Sequence, residues 1–298
     1  MRKWITRILI CVGALALLLR LANWGVRSSH TLPVPPQPNG YEELVAAVRG
    51  IKPLPSDFAE LSSEQIRQLT QLNQSSLEKV RTALAMDSGV TLETKKGWQD
   101  QHEQDLKDLK RLAVALGVES KSLLQTSHTN EAARCNLEVI RLAQSLSRGG
   151  ILLDGFTGLA IEMIGASSLQ AMLPQLDATF CREASRALEE LLAKREPPET
   201  ILATERAWSA RRFGLVDSVG GLLGRQANAK RFTQFVQKAH ETTARTQRLM
   251  LRLAARAYEL DVKQPLAKVA DLVPKYLKAA PLDPETGKEI QEIPLPVK

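Results

Sequence analysis

From residue 41 onward, apolar side chains recur at three- and four-residue spacings, rich in Leu and Ala and poor in aromatics. That is the period of helices that bury one face. A short first helix is predicted over 41–49, with Pro53 and Pro55 breaking the chain after it. Ser62 and Gln65 stand at capping-box spacing ahead of Ile66, Leu69, Leu72, Leu77, Val80 and Leu84, and Asp87, Ser88 and Gly89 close that element. A third helix is expected from Trp98 to Leu116 or on to Leu124, opening with Asp100, Glu103 and Asp105, where the helix dipole favours acids. Residues 129–147 offer Ala133, Leu137, Ile140 and Leu146 as a core face, ended by Gly149 and Gly150.

Residues 151–173 are the most apolar stretch beyond residue 40, interrupted by Asp154 and Glu162. Two carboxylates at a bilayer centre would each cost about 3 kcal/mol, so this segment reads as the central buried helix, its glycines and alanines permitting close helix contact. Pro174 begins or kinks the next helix, which runs to Arg195; Pro197 and Pro198 start a further one through Trp208. Gly220, Gly221 and Gly224 mark a turn before a long helix over 228–260. Antiparallel helices with short connections predict an all-α bundle or array over 41–262, without a fixed-period repeat.

The N-terminus follows a different pattern. Residues 8–19 form an unbroken apolar run, framed by Arg2, Lys3 and Arg7 before it and Arg20 and Arg27 after it. Twelve residues are too few to span a bilayer, which takes about 20, but 4–26 suffices if Arg7 and Arg20 extend to the interfaces beside Trp4 and Trp24. The alternative is a cleaved signal peptide. Arg20 precedes Ala22 where a small residue is wanted, and Ile10 precedes Cys11 where a lipoprotein box would need otherwise, so an uncleaved signal anchor over 1–27 is favoured. The positive-inside rule then leaves the N-terminus cytoplasmic in a bacterial inner membrane, with the main domain exported. Residues 28–40, with four prolines among 31–40, read as a semi-rigid polyproline stalk.

Charge adds little once the anchor is set aside. Of 40 basic and 33 acidic residues, residues 1–27 hold five basic and no acidic ones, leaving 35 against 33. The basic balance belongs largely to topology, so nucleic acid is not an expected partner. The exception is local: Arg231, Lys238, Arg245 and Arg252 recur every seven residues with Arg256 beside them, opposite Phe232, Phe235, Val236, Met250 and Leu253. This stripe is a candidate face for an anionic partner, whether a protein or a lipid surface, and otherwise a solvated face or a cover for acidic neighbours.

No candidate chemistry is strong. His30, His102, His128 and His240 lack metal-ligand spacing, so no metal or cofactor site is expected and solvent-facing imidazoles are the plainer reading. Cys135 and Cys181 are a candidate disulfide in an oxidising compartment, or else two small buried residues. Asp154 and Glu162 fall within about 80° on a helical wheel and are weak catalytic candidates, since burial prepares a carboxyl for acid or base work. The competing expectation is that Arg148, Arg182 or Arg206 pairs with them. Phosphate-loop, dinucleotide and nucleophile-elbow motifs do not occur.

After the long helix the chain reads LVPKYL over 272–277 and PLDPETG over 281–287. Pro274 and Pro281 stop helices, and residues 283–287 have the composition of a tight turn between short extended segments. This pattern resembles the C-terminal region of type II secretion pseudopilins. It resembles still more a recurring tail in uncharacterised single-anchor bacterial membrane proteins of planctomycete type. The likeness covers about 40 of 298 residues, placed at 263–298. No pseudopilin processing site precedes the anchor, and the Trp-Gly-Asn-Pro-Tyr continuation is missing, so no calcium ligands carry over.

The expectation is a membrane-tethered, exported helical protein acting through interaction or envelope scaffolding. The alternatives are a small-ligand protein or enzyme built on Asp154 and Glu162, and a pseudopilin-related secretion component.

Overall fold

In the computed structural model the described residues are 30–55, 61–214, 225–283 and 286–290, with part of 14–28. Their order is α1 (Gly40–Val48), α2 (Ser63–Leu84), α3 (Trp98–Gln125), α4 (Thr129–Ser147), α5 (Leu152–Met172), α6 (Ala178–Ala193), α7 (Pro198–Phe213) and α8 (Arg225–Val262). Three-residue and four-residue 3₁₀ turns lie at Leu173–Gln175 and Val269–Leu272. The protein is all-helical among the described residues, with one antiparallel bridge, Leu282 to Glu289.

Local sequence accounts for the boundaries. Ser62 Oγ accepts from Gln65 N at 3.3 Å while Gln65 Oε1 accepts from Ser62 N at 2.9 Å, closing the capping box that opens α2. Pro174 falls in the 3₁₀ turn that ends α5, and α6 then starts afresh with Asp177 Oδ1 accepting from Phe180 N at 2.8 Å. The glycine turn expected at Gly220, Gly221 and Gly224 lies outside the described residues.

Helices α4 and α5 form the centre. One apolar cluster joins Leu44 of α1, Leu77 and Val80 of α2 and Leu109, Leu112 and Leu116 of α3 to Val139, Leu142 and Leu146 of α4 and Ile161 of α5. A second joins Ile140 of α4 and Leu169 of α5 to Phe180 and Leu188 of α6, Leu249 and Leu253 of α8, and the tail residues Leu272, Tyr276 and Leu277. The α4–α5 approach depends on glycine: a Cβ at Gly158 would sit 2.7 Å from Ala143 O, and one at Gly165 2.9 Å from Asn136 O.

By length and composition alone, Leu152–Gln175 would pass as a membrane span, and it is the one such helix among the described residues. Its carboxylates Asp154 and Glu162 are buried against partners on neighbouring elements, as a core helix requires. The anchor expected over 4–26 falls largely outside the described residues. Residues 14, 17, 18, 20–25, 27 and 28 are helical, and Leu17, Leu18, Leu21 and Trp24 are exposed.

The proline-rich segment is without helix, as expected, but it does not stand clear of the domain. Leu32 packs against the cluster of Trp98, Ile151 and Trp208, and Pro36 lies over Gly89. Asn39 fastens its end: Oδ1 accepts from Tyr41 N and Gly89 N, both at 3.1 Å, and Nδ2 donates to Gly89 O at 2.9 Å.

The tail is also docked. Tyr276 and Leu277 are buried, Tyr276 hydroxyl donates to Asp261 Oδ2 at 2.9 Å, and Glu189 accepts from Lys278 N at 2.8 Å. Beyond it, Asp283 Oδ1 accepts from Thr286 N at 2.8 Å and Ile290 N donates to Pro281 O at 2.9 Å, making the tight turn that the sequence predicts.

Candidate functional site

Asp154 and Glu162 share a helix but not a site. Eight residues separate them by about 12 Å along α5, and each is held by a different set of partners. Asp154, in the first turn of α5, is fully buried. Its Oδ2 accepts from Ile151 N at 2.8 Å and its Oδ1 lies 2.7 Å from His102 Nε2 on α3. Ionised, Asp154 offers only acceptors, so this contact places the imidazole proton on Nε2. His102 Nδ1 then faces the Tyr41 hydroxyl of α1 over 3.4 Å, a long contact in which the phenol donates.

Aromatic residues seal this group. Trp98, one helical turn before His102, stacks on its ring at 4.5 Å between centroids, and Trp208 packs against Trp98 at 5.5 Å. Trp208 Nε1 donates to Glu93 O at 2.9 Å, pinning α7 over the loop before α3. Burial, with Asp154 and Asp105 as further negative neighbours, pushes the Tyr41 phenol well above its usual range, so it stays a proton donor. The Tyr41–His102–Asp154 chain therefore links α1, α3 and α5 in a closed interior. Solvent-facing histidines were the expectation; His102 departs from it because its turn of α3 points at Asp154 and the Trp98 ring covers it.

Glu162, equally buried, faces another direction. Its Oε1 accepts from Thr246 Oγ1 of α8 at 2.6 Å and forms a short ion pair with Arg195, just beyond α6. None of the expected partners fills either role. Arg148 donates to Lys194 O at 3.0 Å, Arg182 lies 3.8 Å from Asp261, and Arg206 sits over the Phe232 ring. Reach explains the exchange: Arg195 follows the end of α6, where the chain passes directly over the middle of α5.

The two cysteines are free and buried rather than bonded. Cys135 sits in α4 beside Arg81, Glu119 and Glu138, while Cys181 packs in the cluster of α6 and α8. Glu119, Cys135 and Glu138 bring potential metal-ligand atoms within 4.8 Å of one another. The Arg81 guanidinium already occupies that space, donating to Glu119 at 2.6 Å and to Glu138 at 3.0 Å. Burial first, and then the two glutamates, push the Cys135 thiol far up; burial pushes Cys181 up to about 11, so neither is poised as a thiolate.

On α8, Arg231, Lys238 and Arg245 are exposed and form no ion pair among the described residues. Arg252 and Arg256 are half-buried, and Arg256 donates to Pro174 O at 3.2 Å. The free part of the stripe is thus its N-terminal part, with Arg248 exposed beside it. Phe235 and Leu253 turn inward as the pattern predicts.

A cleft of about 520 Å³, open to solvent, lies where α4, α5, α7 and α8 meet, with Glu162 and Arg195 in its wall. A neighbouring cleft of about 780 Å³ lies between the end of α2, α4 and α6. Tyr41, His102 and Asp154 line neither. Comparison with protein families, with curated proteins and with solved structures finds no match to this chain.

Proposed function

We propose that this chain is a membrane-tethered helical protein that works by contact, with the N-terminal half of α8 as the face it offers to an anionic partner surface. The observation that carries this reading is the row Arg231, Lys238 and Arg245: three exposed cations at heptad spacing with no ion pair among the described residues. A helix whose charges were committed internally would spend such cations on nearby carboxylates, as Arg81 does. The apolar run at 8–19 and its flanking arginines support the tether, and the proposed topology puts the helical domain on the exported side.

Catalysis by the carboxylate pair has no geometric support. Asp154 is bound on both oxygens inside a closed interior, and Glu162 is neutralised by Arg195. The pseudopilin-like tail needs no secretion role to account for Tyr276 and Leu277, which are explained by docking on α6 and α8.

The test is photo-crosslinking in native membranes from a benzoylphenylalanine at Gln234, an exposed position between Arg231 and Lys238. A discrete adduct that disappears in the R231E/K238E/R245E variant is expected. No adduct, or one indifferent to charge reversal, overturns the reading.

A further inference from the structure

The larger cleft, between the end of α2, α4 and α6, has a chemistry of its own. Arg141 of α4, Arg148 just after it and Lys194 after α6 line it, and none of the three forms an ion pair among the described residues. Two carboxylates also reach it, Asp87 and Glu190, but Glu190 is engaged by Lys278, Nζ to Oε1 at 2.9 Å. The lining therefore carries three cations against two carboxylates, with Arg141 and Lys194 also acting on Glu190 at longer range.

A second, independent observation points the same way. Gln144 lines the cleft, and its Nε2 has no hydrogen-bond partner among the described residues. Interior polar groups are nearly always partnered, and an amide NH2 left over in the cleft wall is a donor seeking an acceptor. Gln144 and Arg148 also line the smaller cleft, where the buried Arg195 Nε is another donor without an acceptor. The Arg141 fork, the part of the Arg148 fork not spent on Lys194 O, an ammonium and a spare amide NH2 match a tetrahedral oxyanion, which presents several acceptor oxygens and more than one negative charge.

We propose that the cleft between the end of α2, α4 and α6 binds the phosphate group of a small phosphate monoester, held by Arg141, Arg148 and Lys194. The site is separate from the α8 row and does not depend on the contact role proposed for it. The phosphate belongs either to a free metabolite or to a lipid headgroup, and both present the same group to these residues.

The experiment is calorimetric titration of the full chain in neutral detergent micelles with inorganic phosphate and with glycerol phosphate. Saturable binding is expected, weakened about tenfold, or 1.4 kcal/mol, by R141A/K194A. Both of those side chains are exposed, and circular dichroism checks that the fold persists. S145D keeps every cation and adds a negative charge to the lining, so it is expected to weaken binding as well. R231A/K238A on α8 is expected to leave it unchanged. Displacement of bound phosphate by glycerol phosphate alone assigns the ligand to a free ester, and displacement also by phosphatidate-containing vesicles assigns it to a headgroup. Non-saturable binding, equal losses in the α8 control, or displacement by neither probe overturns the proposal.

Discussion

Replacing Asp154 probes the closed polar chain directly. Asp154→Ala removes the acceptor for Ile151 N, a cap interaction worth about 1 kcal/mol, at a carboxylate the structure buries fully. It also strips His102 Nε2–H of its only acceptor at 2.7 Å, and an unsatisfied buried donor costs about 1–3 kcal/mol. The expected loss is therefore about 2–4 kcal/mol, a large share of the roughly 5–15 kcal/mol that holds a domain together. Asp154→Asn separates charge from hydrogen bonding. The amide oxygen can keep the Ile151 cap and its NH2 can donate to Nε2, provided the imidazole proton moves to Nδ1 and Tyr41 becomes the acceptor. That rearrangement keeps the Ile151 amide and His102 partnered and leaves the buried Tyr41 O–H without its acceptor, so a loss of about 1–2 kcal/mol, smaller than for Asp154→Ala, is expected. Urea unfolding followed by tryptophan fluorescence suits the measurement, because Trp98 stacks on His102. A loss under about 0.5 kcal/mol for Asp154→Ala would refute the structural role, and an Asn variant as damaged as the Ala variant would show that the negative charge itself is required.

Two further outcomes follow from packing and charge. Gly158→Ala and Gly165→Ala each drive a Cβ toward a backbone oxygen of α4, at 2.7 and 2.9 Å, and the overpacking cost of about 1–3 kcal/mol outweighs the gain of about 1 kcal/mol in helix propensity; unchanged denaturation midpoints would contradict the close α4–α5 approach. Glu190 is held below the usual carboxylate range chiefly by its hydrogen bond to Lys278, and Asp261 by those to Lys275 and Tyr276. Depressed folded values mean that their contribution is present at neutral pH and lost as pH falls below about 4, so amide exchange over 269–283, corrected for intrinsic pH dependence, should accelerate there; unaltered protection at pH 3 would remove these ties from the tail's docking.

Helices with strong local signals were readable from the chain. The Ser62–Gln65 capping box and the 129–147 helix with its paired glycines coincide with α2 and α4 because nearby residues alone determine those ends. The 283–287 turn was equally local, an aspartate accepting from a backbone amide three residues on. The partners of Asp154 and Glu162 were not readable, since His102 and Arg195 lie 52 and 33 residues away and only the tertiary arrangement brings them in. One clue was present: Trp98 and His102 are four apart, so an aromatic covers that histidine on the same helix face. The cleft of Arg141, Arg148 and Lys194 left no sequence signature, because its cations come from two helices about 50 residues apart in the chain. The apparent kinship of Asp154 and Glu162 on a wheel also dissolved in three dimensions, where about 12 Å of helix rise outweighs a modest angular difference.

The central claim is that these two carboxylates serve separate structural networks and form no shared site. Double-mutant cycles in urea unfolding test it most directly, comparing the pair D154A and E162A with the pair D154A and H102A. The account predicts a coupling within about 0.5 kcal/mol of zero for the first pair and above about 1 kcal/mol for the second. A coupling above about 1 kcal/mol between Asp154 and Glu162, or none between Asp154 and His102, would contradict it.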